Sequence, residues 1–259
     1  MDTLELGLAG KVVIVTGGSE GLGRACVERF ARSGAKVVAC ARRKDVLERA
    51  VNAIVGSTGA EVLAIAADVT RAVDVEAVVD GTVRRFGGID ILVNNAGTSS
   101  AAALDQVSDA VWQTDFDLKV MAAVRFCRLV VPLMKQRGGG RIINVTTVGG
   151  KAPAPRALPT SVTRAAGINL TKSLAHEYAA DGILVNTVCL GLVKSAQWER
   201  RAKGGDVESY YKEAARRVPI GRVGEASEFA DLVAFLASER AGYITGAAIN
   251  FDGGMSAAV

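Results

Sequence analysis

Gly17, Gly21 and Gly23 lie in the run Thr16-Gly17-Gly18-Ser19-Glu20-Gly21-Leu22-Gly23, directly after the apolar stretch Val12-Val13-Ile14-Val15. Glycines at this spacing hold phosphates. Gly17 permits a tight turn, Gly21 lets backbone approach a phosphate closely, and Gly23 lets the following helix pack tightly on a sheet. The amino end of that helix, from Leu22 onward, offers its free N–H groups to a pyrophosphate, with Ser19 and Glu20 completing the loop. A lone glycine motif means little, but its place between a strand and a helix points to a dinucleotide site.

The elements that must carry this loop recur along the chain. Short β-branched runs lie at Val12-Val13-Ile14-Val15, Lys36 to Ala41, Val62 to Ala66, Ile89 to Asn94, Arg141 to Thr146, Leu184 to Cys189 and Ala247 to Phe251, separated by amphipathic stretches of helical length. Strands apolar on both faces and alternating with helices predict a parallel sheet covered on both sides, a doubly wound α/β fold. No linker or repeat interrupts the alternation, so residues 1–259 read as a single domain. The rhythm breaks only at 194–217, a charged and largely helical insertion after the sixth strand. At the carboxyl edge of such a sheet it reads either as a substrate lid or as a solvated excursion.

Composition narrows the function classes. The chain has 259 residues, 49% of them hydrophobic, which suffices for one sizeable core. Its net charge of +4 comes from 31 Lys and Arg spread among 27 Asp and Glu, with little aromatic interleaving, which argues against nucleic-acid binding. Cys26, Cys40, Cys127 and Cys189 sit singly in apolar stretches without metal-ligand spacing, as reduced, buried thiols of a cytoplasmic protein would. Residues 1–11 contain no apolar leader, and no run is long enough to cross a bilayer, so a soluble protein without membrane contact is expected.

Three further landmarks follow in order: Asp68 after the third strand, Asn94-Asn95-Ala96-Gly97 after the fourth, and Asp252-Gly253-Gly254 near the carboxyl end. With the glycine loop they make the chain resemble the short-chain dehydrogenase/reductase family over nearly its whole length. The resemblance implies a Rossmann-like sheet of parallel strands numbering seven, with Asp68 and Val69 bracketing an adenine. It also implies that Asn94, Ala96 and Gly97 form the central cofactor wall, and that Gly191 and Val193 complete the cofactor-binding set.

The second strand runs into Arg42-Arg43-Lys44 and lacks the acidic residue that would bind a ribose 2′-hydroxyl. Arg42 stands where the family often places a partner for a 2′-phosphate, and three cations at a helix amino end call for an anion. This favours NADP(H), with NAD(H) the alternative. Against it, Glu20 fills a loop position that is often basic in NADP-dependent relatives.

The resemblance also defines what is missing. The family uses a Ser, a Tyr-x-x-x-Lys on the following helix and an Asn one helix earlier. Aligning Ile142 to Gly149 puts Thr147 at the serine, while the helix from Thr160 puts Thr160 at the tyrosine and Arg164 at the lysine. Trp112 to Lys119 places Lys119 at the asparagine, and no tyrosine occurs between Asn94 and Glu177 to repair the alignment. Downstream, Leu190-Gly191 stands for the family's Pro-Gly and Ser195 for a common Thr.

Reducing a carbonyl leaves an alkoxide that needs a proton, and a phenol of pKa about 10 supplies it far better than an aliphatic hydroxyl. Arg164 could hold the nicotinamide ribose but stays charged. Lys119 can shuttle a proton, and in a dry cleft near Arg164 both desolvation and like charge would draw its pKa down. One reading therefore gives Lys119 the proton, with Thr147 and Thr160 orienting substrate. The other has Lys119 snorkel or pair with Asp115 or Asp117. His176 reads as a structural or surface residue, whereas Tyr210 and Tyr211 of the lid would either swing inward as substitute acids or, with Trp198, line the substrate pocket, whose other wall is the stretch 149–159.

The function expected is hydride transfer between NADP(H), or NAD(H), and a small, mainly apolar alcohol or carbonyl through an atypical active site. The alternatives are nucleotide-bound lyase, isomerase or dehydratase chemistry, or a non-catalytic nucleotide-sensing subunit. The helices from about Trp112 to Gln136 and from Thr160 to Ala180 would pack against symmetry mates in a homotetramer or homodimer, as the family does. No metal is expected.

Overall fold

The computed structural model describes residues 5–195 and 206–258. Its seven strands are β1 (Val12–Thr16), β2 (Lys36–Ala41), β3 (Val62–Ala66), β4 (Ile91–Asn94), β5 (Gly140–Thr147), β6 (Ile183–Leu190) and β7 (Ala248–Phe251). All neighbours pair in parallel in the order β3-β2-β1-β4-β5-β6-β7. The reversal between β1 and β4 is the point where such sheets bind ligands, outside the carboxyl ends of the strands.

The helices are α1 (Gly21–Arg32), α2 (Lys44–Thr58), α3 (Ala72–Phe86), α4 (Asp109–Phe116), α5 (Ala122–Gln136), α6 (Thr160–Tyr178), α7 (Val207–Ala215) and α8 (Ala226–Ala237). Successive residues of the central strands feed opposite layers, as a period of two demands. Val13, Val15, Ile91, Val93, Ile143 and Val145 pack against α1, α2 and α8, whereas Ile14, Leu92 and Ile142 pack against α3 and α5. Each such side chain, fully removed from water, contributes roughly 1.5–3 kcal/mol, so these two layers fix the sheet from which the loops project. All four cysteines are free and buried; burial raises each thiol, Cys40 and Cys127 to about 12.

Three details depart from the sequence expectation. The outer strand β3 is only partly buried, because no strand lies beyond it to hold a covering layer. The stretch expected as one helix from Trp112 to Gln136 is interrupted by a π-helical segment, Asp117–Met121, between α4 and α5. Of the expected lid, residues 207–215 form α7, but Trp198 and the rest of 196–205 lie outside the described residues. Among the described residues no helix is long and apolar enough to cross a membrane.

Candidate active site

The loop after β1 needs glycine for reasons of space. Gly17 adopts φ +69°, the left-handed region open to glycine. At Gly23 a Cβ would collide with the Gly17 carbonyl oxygen and stand 2.5 Å from Asn95 Nδ2, so α1 can start under the loop only without a side chain there. Asn95 stitches the site together: its Nδ2 donates to the Thr16 carbonyl at 2.8 Å, while its own N–H and that of Ala96 donate to Thr16 Oγ1, both at 2.9 Å. Ser19, Glu20, Gly21 and Leu22 thus lie on a turn clamped between the ends of β1 and β4.

At the end of β2, Arg42 is exposed beside this loop's outer side. Its neighbour Arg43 donates from Nη2 to Glu20 Oε2 at 2.5 Å. The carboxylate that argued against a phosphate therefore carries its own counter-charge, and Asp45, at the start of α2, pairs with Arg49 at 2.9 Å. Asp68 follows β3, half-buried; burial alone would raise its carboxyl, but hydrogen bonds from Thr70 and the charges of Arg42 and Arg71 leave it below the usual range. Val69 beside it is buried.

Asn94 ends β4 and donates to Asn144 Oδ1 of β5 at 2.9 Å. Gly97 closes against α6: a Cβ there would stand 2.6 Å from Arg164 Nη2. Beyond β6, Gly191 packs on Asp252 and Val193 bridges to Gly224, which ties this edge to the carboxyl-terminal segment. Ser195 meets α7, its N–H donating to the Tyr211 hydroxyl at 3.1 Å. Leu192, Val193, Tyr210, Tyr211, Ala214 and Val223 line a small apolar cavity here. His176 is exposed on the last turn of α6.

The structure brings Lys119, Thr160 and Arg164 together. Lys119 projects from the π segment, its side chain 1% exposed, and Nζ donates to Asp115 Oδ1 at 2.5 Å and to Thr160 Oγ1 at 3.0 Å. Segments of this kind put an extra residue into a turn and recur at functional sites. Thr160 begins α6 and also accepts the Ser100 N–H at 3.0 Å. A hydroxyl has two acceptor positions, and both are now filled, so the Thr160 proton is left to point elsewhere. Thr147 ends β5 half-buried, and no hydrogen bond joins it to Thr160 or Lys119.

Arg164 Nη1 donates to the Val145 carbonyl at 2.6 Å, whereas its buried Nε has no partner among the described residues. A cavity of about 20 Å³ lies between these groups, lined among others by Asn94, Lys119, Asn144 and Arg164. Burial, then the Arg164 charge, pulls the Lys119 ammonium down to about 8, against the opposing pull of Asp115. Arg164 is lowered by burial to about 10 and so keeps its charge at neutral pH.

Lys119 pairs with Asp115, as one sequence reading expects, and also reaches Thr160, the contact that a proton role would use. The snorkelling variant does not hold, since the ammonium is buried. The sequence reading did not single out Thr163, whose Oγ1 donates to Asp115 Oδ2 at 2.7 Å, or the Ser100 N–H that Thr160 accepts, and it gave Asp115 only as one possible partner of Lys119. The four-residue step from Asp115 to Lys119 was the available signal; nothing in the sequence marks Thr163 or Ser100.

A family model described as enoyl-(acyl carrier protein) reductase matches residues 17–256. The human protein named dehydrogenase/reductase SDR family member 4 is 36% identical over 248 residues, covering 95% of this chain and 88% of its own. Among solved structures, L-sorbose reductase from Gluconobacter frateurii, complexed with NADPH and L-sorbose, is 40% identical with a TM-score of 0.95, over 99% of this chain and 100% of that one. An NADPH-bound short-chain oxidoreductase from Pseudomonas aeruginosa containing an atypical catalytic center is 35% identical with a TM-score of 0.91, over 97% and 99% of the two chains.

Proposed function

The chain belongs to the short-chain dehydrogenase/reductase family of oxidoreductases, and from that premise we propose that it is an NADP(H)-dependent reductase or dehydrogenase of small alcohols and carbonyls in which Lys119 and Thr160 handle the proton. The observation that carries this reading is the 3.0 Å bond from Lys119 Nζ to a Thr160 hydroxyl whose acceptor positions are both filled.

The residues present fit the cofactor. The Gly23 position admits no side chain, and the orphaned Arg164 Nε is a buried donor awaiting an acceptor. Ser19, Glu20, Gly21 and Leu22 with Gly17 and Gly23 would hold the pyrophosphate, Asp68 and Val69 the adenine, and Asn94, Ala96, Gly97, Arg164, Gly191 and Val193 the nicotinamide half. Arg42 would take the 2′-phosphate, with NAD(H) the weaker partner. The Arg43–Glu20 pair supports that choice by removing a repulsive charge, as do two similar structures that hold NADPH.

When bound, the nicotinamide supplies or accepts hydride. In reduction the substrate oxygen takes the outward Thr160 proton as its bond order falls, and Thr160 recovers a proton from Lys119 Nζ. Lys119 ends neutral beside the Asp115 carboxylate. Neither threonine needs to ionise, because an acid with pKa about 8 stands behind Thr160. Thr147 would bind the same substrate oxygen from β5. Arg164 donates and orients but moves no proton. The catalytic centre is atypical in that lysine and threonine share a role the family gives to tyrosine. The P. aeruginosa relative, which contains an atypical catalytic center, supports such a departure.

The apolar cavity under α7 supports a small, mainly apolar substrate and a lid role for that helix. Exposed Val111 and Phe116 on α4 and Val162 on α6 support burial against a second copy in a homodimer or homotetramer, to be read by light scattering. Reduced, buried thiols support a cytoplasmic setting. The test is a fluorescence titration with NADPH and NADH in parallel, followed by NADPH oxidation over a panel of apolar ketones, aldehydes and L-sorbose. Selective NADPH binding and turnover of at least one carbonyl are expected; binding of neither nucleotide would defeat the reading.

A further inference from the structure

Two cations share this site, and a dry cleft tolerates that poorly. Lys119 and Arg164 both line the 20 Å³ cavity, and the carboxylate that pairs with Lys119 is Asp115, whose side chain is 0% exposed. Both of its oxygens are engaged: Oδ1 by Lys119 at 2.5 Å and Oδ2 by the Thr163 hydroxyl at 2.7 Å. Thr163 lies one residue before Arg164 and three after Thr160. The carboxylate therefore ties α4 to the turn of α6 that carries both partners.

We propose that Asp115 is a positioning residue: it holds the Lys119 ammonium against Thr160 and supplies the negative charge that lets Lys119 and Arg164 remain protonated together. The proposal rests on the reading of Lys119 as the proton carrier. Asp115 stands four residues before Lys119, so the two share a helix face. Asp117, two residues away, faces elsewhere and pairs with Arg125 at 3.5 Å.

The charged groups facing Lys119 are few. Asp115 comes from α4 and Arg164 from α6; Ala122, Ala123 and Phe126 from α5, Asn94 from β4 and Thr163 from α6 complete the surroundings, with no other titratable group among the described residues that line the cavity. If the Asp115 charge is removed, the two cations are left opposed in a poorly polarisable site. The ammonium yields first, because a guanidinium holds its proton more firmly. Lys119 would then be neutral at the pH at which it must act as an acid. A merely structural ion pair would have no such consequence for the titration.

The experiment is an NMR titration of uniformly folded, ¹³C-lysine-labelled protein, with the Lys119 ε-carbon assigned by its loss in Lys119→Met. In the wild type a midpoint near 8 is expected. Asp115→Asn keeps the shape and removes the charge, and should lower the midpoint by at least about one unit, a tenfold change in the protonation constant. Asp115→Glu restores the charge and should restore the midpoint, while turnover stays reduced because the ammonium is displaced from Thr160. A midpoint unmoved in Asp115→Asn overturns the proposal.

Should Asp115→Asn fail to fold, Arg164→Met probes the same balance from the other side. Removal of the opposing cation should raise the Lys119 midpoint, and an unchanged midpoint overturns the proposal. Its failure is separable from that of the reading beneath it. Unchanged turnover in Lys119→Met defeats the proton role of Lys119, whereas the titration reports Asp115 whatever the turnover does.

Discussion

The loop at the end of β1 is made almost entirely of backbone, and the cluster behind Thr160 almost entirely of side chains. In the loop, Gly17 turns with φ +69° and Gly23 leaves room for the Gly17 carbonyl, so the shape follows from what is absent. In the cluster, Asp115 and Thr163, Lys119 and Thr160 meet from α4, the π segment and α6, through bonds of 2.5 to 3.0 Å. A backbone site fails by steric intrusion. A side-chain site fails by loss of charge or of a proton, and the two failures are measurable separately.

The largest effect should come from the side-chain half. Lys119→Met removes the proposed acid, and turnover should fall by about 10²- to 10⁴-fold, with NADPH affinity nearly unchanged. The single variant also strands the buried Asp115 charge, which costs on the order of 3–5 kcal/mol. The double variant Asp115→Asn/Lys119→Met leaves no orphaned charge and should recover stability without recovering turnover. Restored turnover in the double variant would remove the proton role from Lys119. The wild-type pH profile sharpens the point. With the acid at about 8, reduction should be constant below that pH and fall as Lys119 loses its proton above it, whereas alcohol oxidation should rise over the same window. Steady-state rates in both directions read this directly.

The backbone half should break next. In Gly23→Ala the new methyl has only the Gly17 carbonyl and Asn95 to displace, and neither is the free end of a flexible chain. Overpacking of this kind costs roughly 1–3 kcal/mol, so NADPH affinity should fall about 10- to 100-fold, together with a lower melting temperature. A Gly23→Ala protein that binds NADPH as the wild type does would mean the loop is not the nucleotide cradle.

This contrast also explains what could be read from the chain before its structure. Backbone sites are written locally: the glycine loop, the strand runs and the ends of β2 and β3 lie within a few residues of where the sequence places them. Lys119, Thr160 and Arg164 were legible because each has a fixed position in a family pattern. Asp115 was legible only as one of two possible partners for Lys119, since the choice depends on which way the π segment turns its face. Thr163 could not be found, because its role exists only where α4 and α6 touch. The Glu20–Arg43 pair was hidden for the same reason: 23 residues separate its members. Taken alone, the acid argued against a phosphate, and its neutralisation appears only when the ends of β1 and β2 stand side by side.

That pair offers the smallest and finest test. Arg42 is the proposed 2′-phosphate partner, so Arg42→Ala should weaken NADPH by about tenfold, the loss of one charge-assisted bond, and leave NADH almost unmoved. Arg43→Ala should act differently, because it removes no phosphate contact but takes from the Glu20 carboxylate the cation that pairs with it at 2.5 Å. The pair is largely exposed, with side chains 57% and 33% accessible, so salt screens it and the effect should be a few-fold at low ionic strength. Adding Glu20→Ala to Arg43→Ala should then return NADPH affinity to its starting value, whereas adding it to Arg42→Ala should not. Parallel fluorescence titrations of the four variants at low and high salt read this cycle. If Arg43→Ala/Glu20→Ala binds NADPH as weakly as Arg43→Ala alone, Arg43 contacts the phosphate itself, and the cation that selects NADP(H) is shared between two arginines rather than supplied by Arg42.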